Sequence, residues 1–201
     1  MSAEHDKSAC LIRRALPSDA ALLPEIEHSA ASTFTADPSL HFILDMPVMS
    51  AEQHLEFMQK GHVLVAECDS MLGGFLVAET MPDEGCLHVW ELSVHQDFQR
   101  RGFGRKLLDA AADLAKAQGC ASLSLTTFGD IPWNRPFYES CGYQVLPVSQ
   151  YNARFRSIAE LEQSIGLPIE RRVAMIRTIY SVQNRSVSRH IERKCRNSNG
   201  E

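Results

Sequence analysis

The sequence predicts a mixed α+β fold with α/β/α layering: a largely antiparallel sheet with one central parallel strand pair, flanked by helices. Three observations predict it. Apolar runs at His62–Glu67, Gly73–Glu79 and Leu87–Val94 are separated by Asp69-Ser70 and by Pro82-Asp83-Glu84-Gly85, the pattern of a β-meander. A helical pattern entered at Gly102 places Leu107, Leu108, Ala111, Leu114 and Ala115 on one side. It separates the third run from Ala121–Thr127, and a helical crossover makes those two strands parallel. Finally, Arg172–Arg177 alternates as a closing strand.

The remaining elements follow in chain order. Cys10–Ala15 reads as a short first strand. Pro17-Ser18-Asp19 opens a helix, with Ser18 or Asp19 as cap and Leu22, Leu23 and Ile26 on its apolar face. Residues 28–60 read as irregular chain and a second helix, interrupted by Pro38 and Pro47. Glu25, Glu27, His28, Asp37, His41, Asp45 and Glu52 make this part rich in acids and histidines. Gly119 ends the central helix. After the parallel strand come a short helix around Phe137–Cys141 and a strand over 142–148. Ser157 and Glu160 have capping-box spacing, predicting a helix over 157–166.

At 201 residues, 44% hydrophobic and 22% charged, the chain is long enough for one sizeable core. We read a single domain over 10–178, an N-terminal extension over 1–9, and a polar tail over 181–201 expected to be mobile. No apolar run reaches membrane-spanning length, and Met1–Ala9 lacks a signal-peptide core. The six cysteines are scattered without a CxxC pair, so the expected setting is reduced and cytoplasmic. Net charge −5 and a pI near 5.9 argue against nucleic acid as a partner. Monomer and homodimer both remain open.

One stretch departs from this acidic balance. Arg100, Arg101, Arg105 and Lys106 crowd the start of the central helix, the positive end of its macrodipole, where acids are normally preferred. A bound anion resolves the conflict. Free N–H groups of the first turn, close approach at Gly102 and Gly104, and four cations together suit a pyrophosphate. A P-loop is excluded because Lys106 is followed by Leu107 rather than Ser or Thr. A dinucleotide fingerprint is excluded because Leu107 occupies the third glycine's position. What remains is Gln-x-x-Gly-x-Gly, Gln99 to Gly104, which resembles the coenzyme A pyrophosphate loop of the GNAT (Gcn5-related N-acetyltransferase) superfamily.

A second signature follows at the separation that superfamily shows: Asn134, then Phe137-Tyr138, then Gly142-Tyr143. With the meander before the loop and the closing Arg-Val-Ala-Met strand, the resemblance covers residues 10 to 178. Asn134 stands only four residues before Tyr138, closer than in many relatives.

The resemblance implies acetyl transfer from acetyl-CoA to an amine by direct attack, with acetyl-CoA as co-substrate and no metal. It assigns Gln99, Arg100, Arg101, Gly102, Phe103, Gly104, Arg105 and Lys106 to the pyrophosphate. It assigns the backbone of Leu92, Ser93 and Val94 to the pantetheine and thioester carbonyl, with Asn134 and Phe137 beside the arm. Tyr138 is the acid for the departing thiolate. The base is His88 or Glu91, which an ideal strand would point to opposite faces, although a bulge would relax that rule. Glu27 is the acceptor-side candidate. The leading expectation is a small-molecule amine acetyltransferase. A protein N-terminal or lysine acetyltransferase and a non-catalytic acyl-CoA-binding module are the alternatives.

Overall fold

The computed structural model describes residues 10–179; the extension 1–9 and the tail expected to be mobile lie outside the described residues. Asp69 and Ser70 both adopt left-handed conformations, at φ +50° and +63°, the geometry that a two-residue hairpin needs between right-twisted strands. They join β2 (His62–Cys68) to β3 (Met71–Met81), and Gly85 at φ +56° turns the chain into β4 (Cys86–Val94). With β1 (Leu11–Arg14), β5 (Ser122–Phe128), β6 (Gln144–Val145) and β7 (Arg172–Thr178), one sheet forms in the order β1-β2-β3-β4-β5-β7-β6. Every neighbouring pair is antiparallel except β4 and β5, which are parallel, as the crossover predicts.

The crossover is α3 (Phe103–Ala117). Its Leu107, Leu108, Ala111 and Ala115 are fully buried against one face of the sheet, on Leu76, Leu87, Leu123 and Met175. Burying each such leucine contributes about 1.5–3 kcal/mol. The opposite face is covered by α1 (Leu23–Ala31) and α2 (Ala51–Lys60) over β2 and β3, and by α5 (Ala153–Ser164) over β7. The short α4 (Arg135–Ser140) follows β5.

Three local expectations are corrected. Neither Ser18 nor Asp19 is an N-cap: Pro17–Leu22 is a 3-10 turn, and Asp19 instead accepts from the Leu16 N–H at 2.7 Å and pairs with Arg13. Ser157 lies inside α5, whose start is set earlier by Asn152 accepting from the Phe155 N–H at 3.0 Å. The strand expected over 142–148 shrinks to Gln144–Val145, because Pro147 has no N–H to continue the ladder with β7.

Packing also buries a histidine. His54, on the inward face of α2, is 0% exposed, with its ring edge-on to Phe75 and neither nitrogen hydrogen-bonded. Burial pushes its pKa down to about 4. The unfolded chain takes up this proton below about 6.5 while the folded chain resists it, so stability is full above that pH and falls as pH drops. At pH 5 the loss is about 2 kcal/mol. Urea unfolding of His54→Leu is expected to show a correspondingly smaller stability loss between pH 7.5 and 5; an unchanged loss would contradict this origin.

Candidate active site

The β4–α3 connection is built for exposed backbone. Arg100 and Gly102 adopt φ +59° and +84°, placing two left-handed residues on either side of Arg101. Gly102 is the N-cap of α3, and no side chain caps that helix. Its first-turn N–H groups therefore have no intrahelical or capping side-chain partner, the arrangement that accepts an anion. A Cβ at Gly102 would meet nothing within 4 Å, so its glycine answers to backbone conformation and to whatever approaches from outside. At Gly104 the reason differs: a Cβ would stand 3.1 Å from the Phe137 ring, so this glycine lets α4 close on α3.

The cation cluster divides. Arg100, Arg101 and Lys106 are exposed around the loop, with Arg101 lying over the Phe98 ring. Arg105 instead donates to the Ser140 carbonyl and hydroxyl at 3.0 and 2.8 Å, bracing the end of α4. Gln99 is likewise a brace. Its amide donates to the Val94 carbonyl at 3.0 Å and to the Thr33 hydroxyl at 3.2 Å, folding the loop back onto the end of β4.

Upstream, β4 and β5 part company. Their ladder covers Cys86–His88 against Ser122–Ser124, so from Val89 to Val94 the β5-facing edge of β4 has no strand partner among the described residues. This fork contains the backbone of Leu92, Ser93 and Val94. Tyr138, half-buried between Phe137 and Tyr143, lies within electrostatic reach of Glu91 on this strand, and Asn134 is the N-cap residue of α4, with no side-chain cap bond.

A bulge decides which side chains meet at the fork. Val77 pairs with Glu91 and Ala78 with Val89, so Trp90 is the extra residue. Leu87 and Val89 pack toward α3, and beyond the bulge so do Leu92 and Val94. Strand parity is therefore switched, and His88, Trp90, Glu91 and Ser93 share the face away from α3. The opposition expected between His88 and Glu91 does not hold.

Their environments nevertheless separate them. His88 is 1% exposed, and its Nδ1 lies 2.9 Å from the Ser124 hydroxyl and 3.0 Å from an Arg154 Nη1. Because a guanidinium only donates, Nδ1 accepts and the neutral ring carries its proton on Nε2. Burial and the Arg154 charge push its pKa down to about 3. Arg154 also pairs with Glu84 at 2.9 Å, so the network ties α5 to the root of the fork. The expectation of His88 as an amine base does not suit these surroundings: a buried ring held next to a cation resists the proton it would have to take.

Glu91 is half-buried and accepts from the Ser93 hydroxyl at 2.7 Å. Glu27, on α1, accepts from the Met49 N–H at 3.2 Å and feels the charge of Glu91. Burial first, then Glu91, pushes Glu27 up to about 8; burial raises Glu91 as well. Tyr138 is raised above its usual value by burial and by Glu91, which puts all three groups in one electrostatic neighbourhood. Most other acids of the 28–60 region serve local structure: Asp37 pairs with Arg171, Glu52 accepts from Ser50, and Glu56 pairs with Lys60. Of the acids noted in this part of the sequence, Glu27 is the one in electrostatic reach of Glu91.

Sequence reasoning missed Ser124, Arg154, Glu162 and Arg172. The Arg172 guanidinium pairs with Glu162 at 2.6 Å and partly offsets the upward shifts of Glu91 and Tyr138, so its charge reaches the fork. Its only sequence signal was a charge at the same strand parity as buried Ala174.

The model of the Acetyltransferase (GNAT) family matches residues 24–143. The uncharacterized N-acetyltransferase YvbK of Bacillus subtilis is 23% identical over 91 residues, 45% of this chain and 57% of that protein's length. The PaiA N-acetyltransferase of Thermoplasma acidophilum, solved with coenzyme A, superposes with TM-score 0.64 at 16% identity over 85% of this chain and 99% of its own. The N-acetylglutamate synthase of Neisseria gonorrhoeae, with coenzyme A and N-acetylglutamate, matches at TM-score 0.63 and 19% identity over 87% of this chain and 36% of its own. The ribosomal-protein-S18-alanine N-acetyltransferase of Escherichia coli matches at 0.61 and 17% over 87% and 96%. These solved structures share the fold, and with the family match spanning more than half its length this chain belongs to the acetyltransferase (GNAT) family.

Proposed function

We propose that the protein transfers the acetyl group of acetyl-CoA to a primary amine of a small molecule by direct attack. One observation carries this reading: the uncapped start of α3 and the open β4–β5 fork lead to a carboxylate and a phenol in mutual electrostatic reach. The donor set fits the co-substrate, with main-chain N–H groups and exposed Arg100, Arg101 and Lys106 for a pyrophosphate and a bare strand edge for the amides of an extended arm. When bound, acetyl-CoA supplies a thioester whose C–S bond breaks as the amine's N–C bond forms, giving the N-acetylated amine and the free thiol.

The chain's residues handle the protons. Glu91 takes one from the incoming ammonium, since an alkyl ammonium has no lone pair with which to attack. Neighbouring carboxylates do not readily ionise together, so burial and the Glu91 charge keep a proton on Glu27 up to about pH 8, and burial raises the basicity of Glu91. Tyr138 gives a proton to the departing sulfur; its raised pKa keeps the phenol protonated. Backbone N–H groups at Leu92 to Val94 stabilise charge developing on the carbonyl oxygen, an effect worth roughly 3 kcal/mol per donor.

A small acceptor is supported by the segment Ser32–Asp45. Its Leu40 is buried on Phe128 and Ile131, and Arg171 pairs with Asp37 and Asp130 at 2.7 and 2.6 Å, fastening the segment to the end of β5 where it would leave little room for a large acceptor. Among the described residues no helix is long and apolar enough to cross a membrane, and five cysteines are free, which supports a cytoplasmic enzyme.

Thiol release from acetyl-CoA with a panel of primary amines tests the reading, beside calorimetric titration of coenzyme A. Gly102→Val is expected to raise the Kd for coenzyme A at least about tenfold, because a β-branched residue resists φ +84° by roughly 1–3 kcal/mol. Normal binding by that variant would remove the loop from the site.

A further inference from the structure

Between β6 and β7 the chain inserts residues 146–171, and this insertion borders a half-open cavity of about 340 Å³ against β5 and β7. That is near the small end for ligand sites. Tyr151, Phe155 and Ala159 line it from the insertion, Ile169 from the turn before β7, and Val173 and Ala174 from β7 itself. The walls are fixed in place. The Tyr151 hydroxyl accepts from the Ala174 N–H at 2.8 Å, and Arg154 anchors α5 to Glu84 and His88.

The two charges closest to the core, Glu162 and Arg172, neutralise each other at 2.6 Å, and Glu162 also accepts from the Thr126 hydroxyl at 2.6 Å. This buried pair is satisfied within the protein, and the other charged lining residues, Arg156 and Glu170, are exposed, so a group entering towards the core meets mainly carbon. The cavity also adjoins the fork. Thr126 lies two residues beyond Ser124, where the β4–β5 ladder ends, and the charge of Arg172 reaches Glu91 and Tyr138. Trp90, next to Glu91, packs against Phe155 and Ala174 as well as against the α1 side.

We propose that this cavity receives the uncharged apolar arm of the acceptor, a short alkyl chain or a phenyl group, while the amine nitrogen stands at Glu91. The inference rests on the transferase reading and narrows its acceptor to monoamines with an apolar substituent. A diamine would carry a second ammonium into a space whose buried acid is already paired, and desolvating it there is costly.

The test compares ethylamine, butylamine, 2-phenylethylamine and 1,4-diaminobutane, both as substrates and as ligands of the protein–coenzyme A complex by calorimetry. From ethylamine to butylamine, kcat/KM and affinity are expected to rise about fourfold per methylene, with the diamine below butylamine. Ala159→Phe, which fills the cavity from a half-exposed helix position, is expected to collapse the butylamine-to-ethylamine ratio towards one. Should that variant fold poorly, Ile169→Ala enlarges the space and is expected to raise the preference for 2-phenylethylamine over butylamine. Turnover of every amine without dependence on the arm would overturn the cavity assignment and leave the transferase intact. Arm-dependent binding without turnover would uphold the cavity and overturn the transfer reaction. Equal use of diamine and butylamine would overturn the monoamine preference.

Discussion

Glu91→Gln is expected to lower kcat/KM for a primary amine by about a thousandfold while leaving coenzyme A affinity within about twofold. The amide is nearly isosteric and keeps an oxygen that can accept from the Ser93 hydroxyl, so what is lost is the ability to take a proton. The pH profile carries a second signature. With Glu27 raised to about 8 by burial and by the Glu91 charge, activity should climb from pH 6 and level off above about 8 as the pair gives up its last proton. Glu27→Gln removes the group raised to about 8, so the rising limb moves to lower pH. His88 titrates near 3, far below this limb, so His88→Gln should leave the limb's position unchanged, whatever its cost in stability. If instead His88→Gln abolished the limb and Glu91→Gln preserved it, the base would be the histidine.

Tyr138→Phe should reduce kcat by about a hundredfold, with thermal stability and coenzyme affinity close to those of the parent. The ring's contacts with Phe137 and Tyr143 do not involve the hydroxyl, so packing survives the change. What disappears is the proton delivered to a thiolate leaving group, a loss felt in the transition state and not in the ground state. Burial and the neighbouring Glu91 hold the phenol protonated well past neutrality, so this acid should not limit the high-pH side of the profile in the physiological range. A variant as fast as the parent would remove Tyr138 from the chemistry.

Much of the architecture was legible because it is written in local rules. Asp69-Ser70 and Gly85 specify turns through the backbone angles they tolerate, and the period of α3 marks both its buried face and the parallel relation of β4 to β5. The loop was legible for the same reason: glycines and cations at a helix start are a local anomaly. Cap positions and strand ends were less so, because Asp19 and Ser157 satisfy local patterns that stronger partners overrode. Asp19 went to Arg13 and the Leu16 N–H, and α5 found an earlier cap in Asn152.

By itself, then, the amino-acid order determined the meander, the helical crossover and a helix start rich in glycine and cations, since each depends on residues within a few positions of one another, whereas the place of β7 between β5 and β6 came from long-range pairing. Only the tertiary structure decided which carboxylate faces which, that Trp90 bulges and reverses parity, that Arg105 and Gln99 brace rather than reach outward, and that His88 is walled in by Arg154 from 66 residues away. Burial and charge at a point are sums over whatever the fold brings there, and no run of neighbouring residues contains that sum.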